Sequence, residues 1–270
     1  MPLLVRFFKD RARGHAFFAL GLFSYAWMVA AFMPIIVKDT AAYQKLLEQY
    51  PRELLTVLAG NIGSLEAWFT PEGFISLEFL ALWFPVIMLG YVVGYGTALV
   101  AKEVENGTIE NLLAIPVSRT RLLLERALAL LIGLAALTAF TFASLYALSR
   151  AYGFELSAQG TLAAAIHVFG FVLVFAALTV FLSAVFLERG KPAAVTIGYF
   201  VLAHLVNALA TNSETLKDIQ FLSLFKYYDV YTALAEARLD VWNNALFFGL
   251  SAALFAAAVF IFRRRDILIA

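Results

Sequence analysis

Apolar and polar positions fall along this chain in long blocks rather than in short alternation. Six blocks are apolar throughout: about 16–37, 79–101, 127–148, 161–187, 192–210 and 244–262. A hydrocarbon core about 30 Å thick takes roughly 20 residues of helix to cross. Each block therefore reads as one spanning helix. Strands of a membrane barrel alternate apolar and polar residues and are about half as long, so a barrel does not fit. In lipid the backbone must satisfy its own hydrogen bonds, which a helix does within one segment. The pattern predicts an all-α integral membrane protein with six transmembrane helices in a single domain, 1–270. Pro34 and Pro85 fall inside blocks, where a missing N–H predicts kinks.

The intervening polar segments set a direction. With the N-terminus cytoplasmic, the inner segments are 1–15, 102–126, 188–191 and 263–270, and they hold 13 Lys and Arg. The outer segments 38–78, 149–160 and 211–243 are longer in total and hold 7. The positive-inside rule then places both termini in the cytoplasm. Arg263-Arg264-Arg265 is the clearest stop after a span. The apolar run from Ala16 to Val37 is longer than a signal-peptide core and lacks a clear small-residue cleavage site, so it reads as a retained span.

Arg6, Lys9, Arg11 and Arg13 are interleaved with Leu3, Leu4, Val5, Phe7 and Phe8. Two readings fit and can coexist. One is a helix lying in the headgroup layer; the other is a basic flank that fixes orientation. Among the outer segments, 41–50 and 52–58 carry apolar residues at helical spacing on either side of Pro51, with Trp68, Phe69 and Phe74 after them. Residues 213–242 contain Phe221, Leu222, Leu224, Phe225, Tyr227, Tyr228 and Tyr231. Aromatic rings favour the membrane boundary, so an interfacial or re-entrant segment is expected before the last span. A packed loop is the alternative.

Composition agrees with this picture and narrows it. Hydrophobic residues make up 63% of the chain and charged ones 14%, more apolar surface than a water-soluble exterior allows. A net charge of +1 provides no field for nucleic acid. The absence of cysteine excludes disulfides, thiolate metal sites and cysteine nucleophiles. No Gly-x-x-x-x-Gly-Lys-Ser/Thr loop is present, and Gly94-Tyr95-Gly96 inside a span is no dinucleotide fingerprint. The chain is therefore not expected to hydrolyse ATP or to hold a cofactor.

The linker between the second and third blocks carries the most structured polar sequence. Gly107 permits backbone geometry that other residues resist. Thr108 can cap a short helix with Glu110 in its first turn, where the helix dipole favours an acid. That helix runs through Leu112 and Leu113 and stops near Ile115, because Pro116 disfavours helical geometry before it. Ser118 then caps a second helix leading through Arg121 into the third span. The result is a short amphipathic helix held between two corners. It reads either as a docking element for another protein or as a capped loop and nothing more.

The run Glu103, Glu105, Gly107, Thr108, Glu110, Leu112, Leu113, Pro116, Val117, Ser118 and Arg119 resembles the signature between spans two and three of ABC-2 type transporter permeases. The ending Phe262-Arg263-Arg264-Arg265-Asp266 and the aromatic stretch Leu224-Phe225-Lys226-Tyr227-Tyr228-Asp229 are also similar to that family. Asn106 departs from it, standing where a charged residue is common. The resemblance implies a permease subunit of an ATP-driven transporter, usually an exporter. It implies two permease chains side by side, each bound to a separate cytoplasmic ATPase that carries ATP and magnesium. The linker would be the coupling helix seated in that ATPase. The basic segment with Arg6, Lys9, Arg11 and Arg13 would be an interfacial elbow helix.

Other residues are weaker candidates. His167, His204 and Asn207 lie within spans four and five, where polar groups are costly and are either buried in hydrogen bonds or line a pathway. Together with His15 they are too few and too scattered for a metal site. Gly90-x-x-x-Gly94 permits close helix approach within or between chains. Glu188-Arg189-Gly190-Lys191-Pro192 is a tight turn, either a plain connector or a second motor contact. A motor-independent channel or secondary carrier would want ionisable groups in spans that are nearly free of acids. An intramembrane enzyme would want a converging Ser/His pair or a histidine cluster, and neither is evident in the sequence.

Overall fold

The computed structural model describes residues 8–38, 45, 49, 66–101, 105, 118–186, 188–210 and 213–264. Its regular elements are helical. We number them α1 (Ala12–Lys38), α2 (Pro71–Ile75), α3 (Trp83–Gly96), α4 (Arg119–Ala151), α5 (Ala158–Val185), α6 (Gly190–Leu209), α7 (Glu214–Ile219), α8 (Val230–Ala235) and α9 (Val241–Arg264). Among the described residues, six helical stretches are long and apolar enough to cross a membrane: Ala12–Ile36, Pro71–Leu99, Thr120–Ala151, Ala158–Val185, Gly190–Leu209 and Val241–Arg264. Each apolar block falls on one of them. The proposed outer helices at 41–50 and 52–58 lie outside the described residues, apart from single positions 45 and 49.

The helix ends differ from the apolar edges because caps, not hydropathy, terminate helices. Ser118 opens α4 with its Oγ accepting from the Arg121 N–H, nine residues before the apolar block begins. Ser157 does the same for α5 through the Gly160 N–H. Each such cap is worth ~1 kcal/mol. At the other end of α4, Tyr152 is followed by Gly153 at φ 74°, a left-handed position that glycine takes without penalty.

The second span is not one regular helix. It starts at Pro71 with Thr70 as cap, widens into a π-helical stretch at Ser76–Leu80, and breaks at Ala81–Leu82 before α3. Pro85 therefore sits in the first turn of a new helix, where its missing N–H costs little. The irregularity expected at Pro85 lies just upstream of it. The span also gains two turns that hydropathy assigned to the outer segment, including Glu78.

Side-chain contacts fix the helix directions. Tyr95 meets Gly14, and Tyr25 meets Phe79, so α1 and the second span are antiparallel. His15 faces Gly133, and Phe23 faces Phe140, so α1 and α4 run together. His167 bonds Asn244, and Gly170 meets Phe247 and Phe248, so α5 and α9 run together. The end of the bundle at which the second span finishes and α4 begins is called the linker end, and the opposite one the far end.

Helix α5 is the axis. Its spanning window is 72% buried, against 22% for α9 and 28% for α1 and α6. It packs against α3, α4, α6, α8 and α9. Around it stands an aromatic core in which Phe171 stacks on Tyr228, with centroids 4.1 Å apart, and touches Phe175, Phe225 and Phe247 edge-on. Such pairs add ~0.5–1.5 kcal/mol each beyond the area they bury. On the other side, Tyr91 and Tyr95 of α3 stack at 4.6 Å. Their hydroxyls reach backbone that only glycine leaves open, Gly133 of α4 for Tyr91 and Gly14 of α1 for Tyr95.

Candidate functional site

The linker end is built from three elements that the sequence keeps far apart. The second span ends in a tight turn at Thr97–Leu99. Arg126 of α4 reaches the last carbonyls of that turn, donating through Nη1 to the Leu99 carbonyl at 2.7 Å and to Ala98 at 3.5 Å. A guanidinium is suited to this, because the C-terminal end of a helix carries partial negative charge. Ser183 of α5 accepts from the Ala101 N–H at 3.0 Å and donates to the Thr97 carbonyl at 3.4 Å. The point where the linker leaves the bundle is thus pinned to α4 and α5.

Glu105 carries the linker further. It is exposed, and its Oε2 accepts the Arg189 backbone N–H at 2.8 Å. Arg189 is the N-cap of α6 and offers no side-chain cap of its own. The first turn of α6 contains no acid, and Pro192 has no N–H. Glu105, distant in sequence, supplies the negative group that this helix start lacks. Beside it, Lys191 Nζ pairs with Glu188 Oε1 at 2.7 Å, and Arg121 Nε with Glu125 Oε1 at 2.8 Å. These are surface pairs of small individual worth.

Of the linker residues singled out in the sequence, Glu105, Ser118 and Arg119 are described. Glu105 holds α6, Ser118 caps α4, and Arg119 is the first residue of α4. Glu103, Gly107, Thr108, Glu110, Leu112, Leu113 and Pro116 lie outside the described residues. Arg6 does too. Lys9 stands in a short helical turn that breaks at Arg11, and Arg13 follows in α1; both Lys9 and Arg13 are exposed. Arg11 lies over the Tyr95 ring at 5.0 Å.

The far end holds the polar span residues. His167 is buried. The Asp229 N–H donates to its Nε2 at 3.1 Å, so the ring proton lies on Nδ1 and faces Asn244 Oδ1 at 3.3 Å. The Asn244 amide in turn donates to the Asp240 carbonyl at 2.8 Å. His204 lies edge-on to Phe225 at 4.9 Å. Asn207 Oδ1 accepts from Gln220 Nε2 at 3.1 Å. All three residues meet the segment 213–235, at Asp229, Phe225 and Gln220 respectively. Among the described residues, no group of three or more His, Cys, Asp or Glu could hold a metal ion.

That segment folds back into the bundle. Leu224, Phe225, Tyr228, Val230, Ala233 and Leu234 are buried, while Phe221 and Leu222 remain exposed. Tyr228 Oη donates to the Leu80 carbonyl at 2.7 Å. Leu80 ends the π-helical stretch, so the helix break and the buried tyrosine belong together. Burial raises the Tyr228 phenol well above its ordinary range and keeps it a donor. Sequence reasoning flagged the aromatics here, but it had no signal for Ser183, Arg126 or Asn244, whose partners lie on other helices.

The ABC-2 family transporter protein family matches residues 3–267. The chain belongs to that family. Neither a curated protein nor a solved structure matches it significantly. Membership makes this a multi-pass membrane protein and the membrane component of an ABC-2 transporter. Among the described residues, an added Cβ at Gly94 of this ABC-2 component would meet nothing within 4 Å, and one at Gly90 would meet the Phe18 ring of α1 at 3.8 Å.

Proposed function

We propose that the chain is the permease subunit of an ATP-driven exporter, that two such chains form the pathway, and that each is driven by a separate cytoplasmic ATPase docking on the linker. The observation that carries this reading is family membership over nearly the whole chain. The linker end faces the cytoplasm in this reading, in keeping with the excess of Lys and Arg in the segments at that end. Residues 102–117 form the coupling element, and the exposed 188–191 turn beside Glu105 widens the surface an ATPase meets. The N-terminal basic segment lies in the headgroup layer as the elbow. ATP and magnesium bind on the partner, and this chain performs no hydrolysis.

Force applied to the linker reaches the bundle because the residues just before it, Leu99 and Ala101, are hydrogen-bonded to α4 and α5. The cargo pathway lies between two chains, where α1, α6 and α9 are the least enclosed.

The test is reconstitution of the chain with its ATPase in vesicles. Glu110→Lys or Leu112→Pro should leave the complex able to hydrolyse ATP but abolish the dependence of hydrolysis on the permease. The chain alone should show no hydrolysis. A pure chain that turns over ATP, or transport that persists at full rate without any ATPase, would overturn the reading in favour of an enzyme or a motor-independent carrier.

A further inference from the structure

Helix α6 is tied at both ends to segments outside itself. At the linker end Glu105 holds the Arg189 N–H. At the far end the ties are several. Ser223 Oγ donates to the Ala203 carbonyl at 2.7 Å, Tyr199 Oη to the Leu222 carbonyl at 2.9 Å, and Gln220 Nε2 to Asn207 at 3.1 Å. Phe225 packs edge-on against Phe200 and His204 of the same helix. Residues 220–225 thus belong mechanically to α6.

The next residues belong elsewhere. Tyr228 is bonded to Leu80 of the second span, and Asp229 to His167 of α5. Helix α8 packs on α5 so closely that a Cβ on Gly160 would collide with the Leu234 carbonyl. The far-end segment is therefore divided, one half fastened to α6 and the other to α5 and the second span, meeting where the Phe225 ring touches Phe171. Between α6 and α5 themselves, among the described residues, Phe175 meets Tyr199 and Phe200, and Thr179 meets Thr196 at 3.3 Å. Packed helices can shift against one another by small shear motions.

We propose that α6 is a push-rod: it carries displacement of the linker, received through Glu105 at Arg189, to residues 220–225 at the far end, while residues 228–235 stay with α5. Glu105 is then a positioning residue for the far-end segment, across the whole thickness of the bundle. The rod works whichever way the chain faces and whatever moves the linker, so its test needs no ATPase and can fail while the reading above stands.

Hydrogen exchange of the purified full chain in lipid nanodiscs tests it. Glu105→Ala removes the acceptor, and Arg189→Pro removes the donor N–H at a helix start whose φ of −59° already suits proline. In both variants, exchange in 220–225 should quicken about threefold or more, as local opening is favoured, while 230–235 stays unchanged. Arg189→Gln keeps the N–H and should behave as wild type, and Glu105→Gln keeps an acceptor oxygen and should fall between. Faster exchange confined to the start of α6 would overturn the rod, as would equal change in both halves or a response of Arg189→Gln as large as that of Arg189→Pro.

Discussion

The approach of Tyr91 to Gly133 gives a sharp test of how α3 and α4 are held together. An added Cβ on Gly133 would lie 2.0 Å from the Tyr91 hydroxyl oxygen, 3.2 Å from Cζ and 3.3 Å from His15 Nε2. Tyr91 is fully buried and stacked on Tyr95, so it has little room to withdraw. Forcing a methyl into a packed core costs ~1–3 kcal/mol. For a chain of this size, that lowers an apparent Tm by roughly 2–4 °C per kcal/mol. Gly133→Ala should therefore lose several degrees in a thermal shift assay at a fixed scan rate in one detergent. The Tyr91 hydroxyl is buried without a hydrogen-bond partner among the described residues. Removing it should cost nothing or stabilise, because a buried unsatisfied hydroxyl is unfavourable by ~1–3 kcal/mol. In the Tyr91→Phe background the 2.0 Å clash is gone, and the remaining contacts at 3.2 and 3.3 Å need only small adjustments. Most of the lost Tm should return in the double variant, a strongly non-additive cycle. Equal loss from Gly133→Ala in both backgrounds would refute the reasoning.

Two further substitutions probe the polar anchors. Tyr228→Phe deletes the buried bond to the Leu80 carbonyl and should cost ~1–3 kcal/mol. Because burial raises the folded Tyr228 pKa above its unfolded value near 10, the native protein should lose stability as pH climbs past ~10, and Tyr228→Phe should flatten that alkaline loss in a denaturation series. Arg126→Gln removes a charged donor from the end of the second span and should cost ~1.5–3 kcal/mol. Hydrogen exchange at Ala101, whose N–H bonds Ser183, should quicken in that variant, and an unchanged rate would show that Arg126 is not what holds the linker's exit.

Much of this protein was legible in the linear pattern. Long apolar runs have one solution in a bilayer, so the number of spans followed from run length alone. The family signature at Glu103–Arg119 was equally local, and so was the cap at Ser118, because a capping side chain bonds its own backbone three residues on. The apolar edges misplaced the helix ends by several residues, since a cap or a break sets an end and lipid does not. Glu78 shows the consequence: hydropathy put it outside the second span, while the π-helical stretch carries it into the helix.

Partners across the bundle were decided only by tertiary structure. Nothing near Glu105 in sequence points to Arg189, and nothing near His167 points to Asp229 and Asn244. Those bonds join residues 62 to 84 positions apart, and each depends on which helix packs beside α5 or beside the linker. His167 and His204, read in sequence as buried polar or pathway residues, meet the segment before the last span, His167 at the Asp229 N–H and His204 at the Phe225 ring. A side chain's residue type states what it can bond. Only the packing of helices, which spends the same apolar surface in one of several arrangements, decides which partner stands within hydrogen-bonding reach.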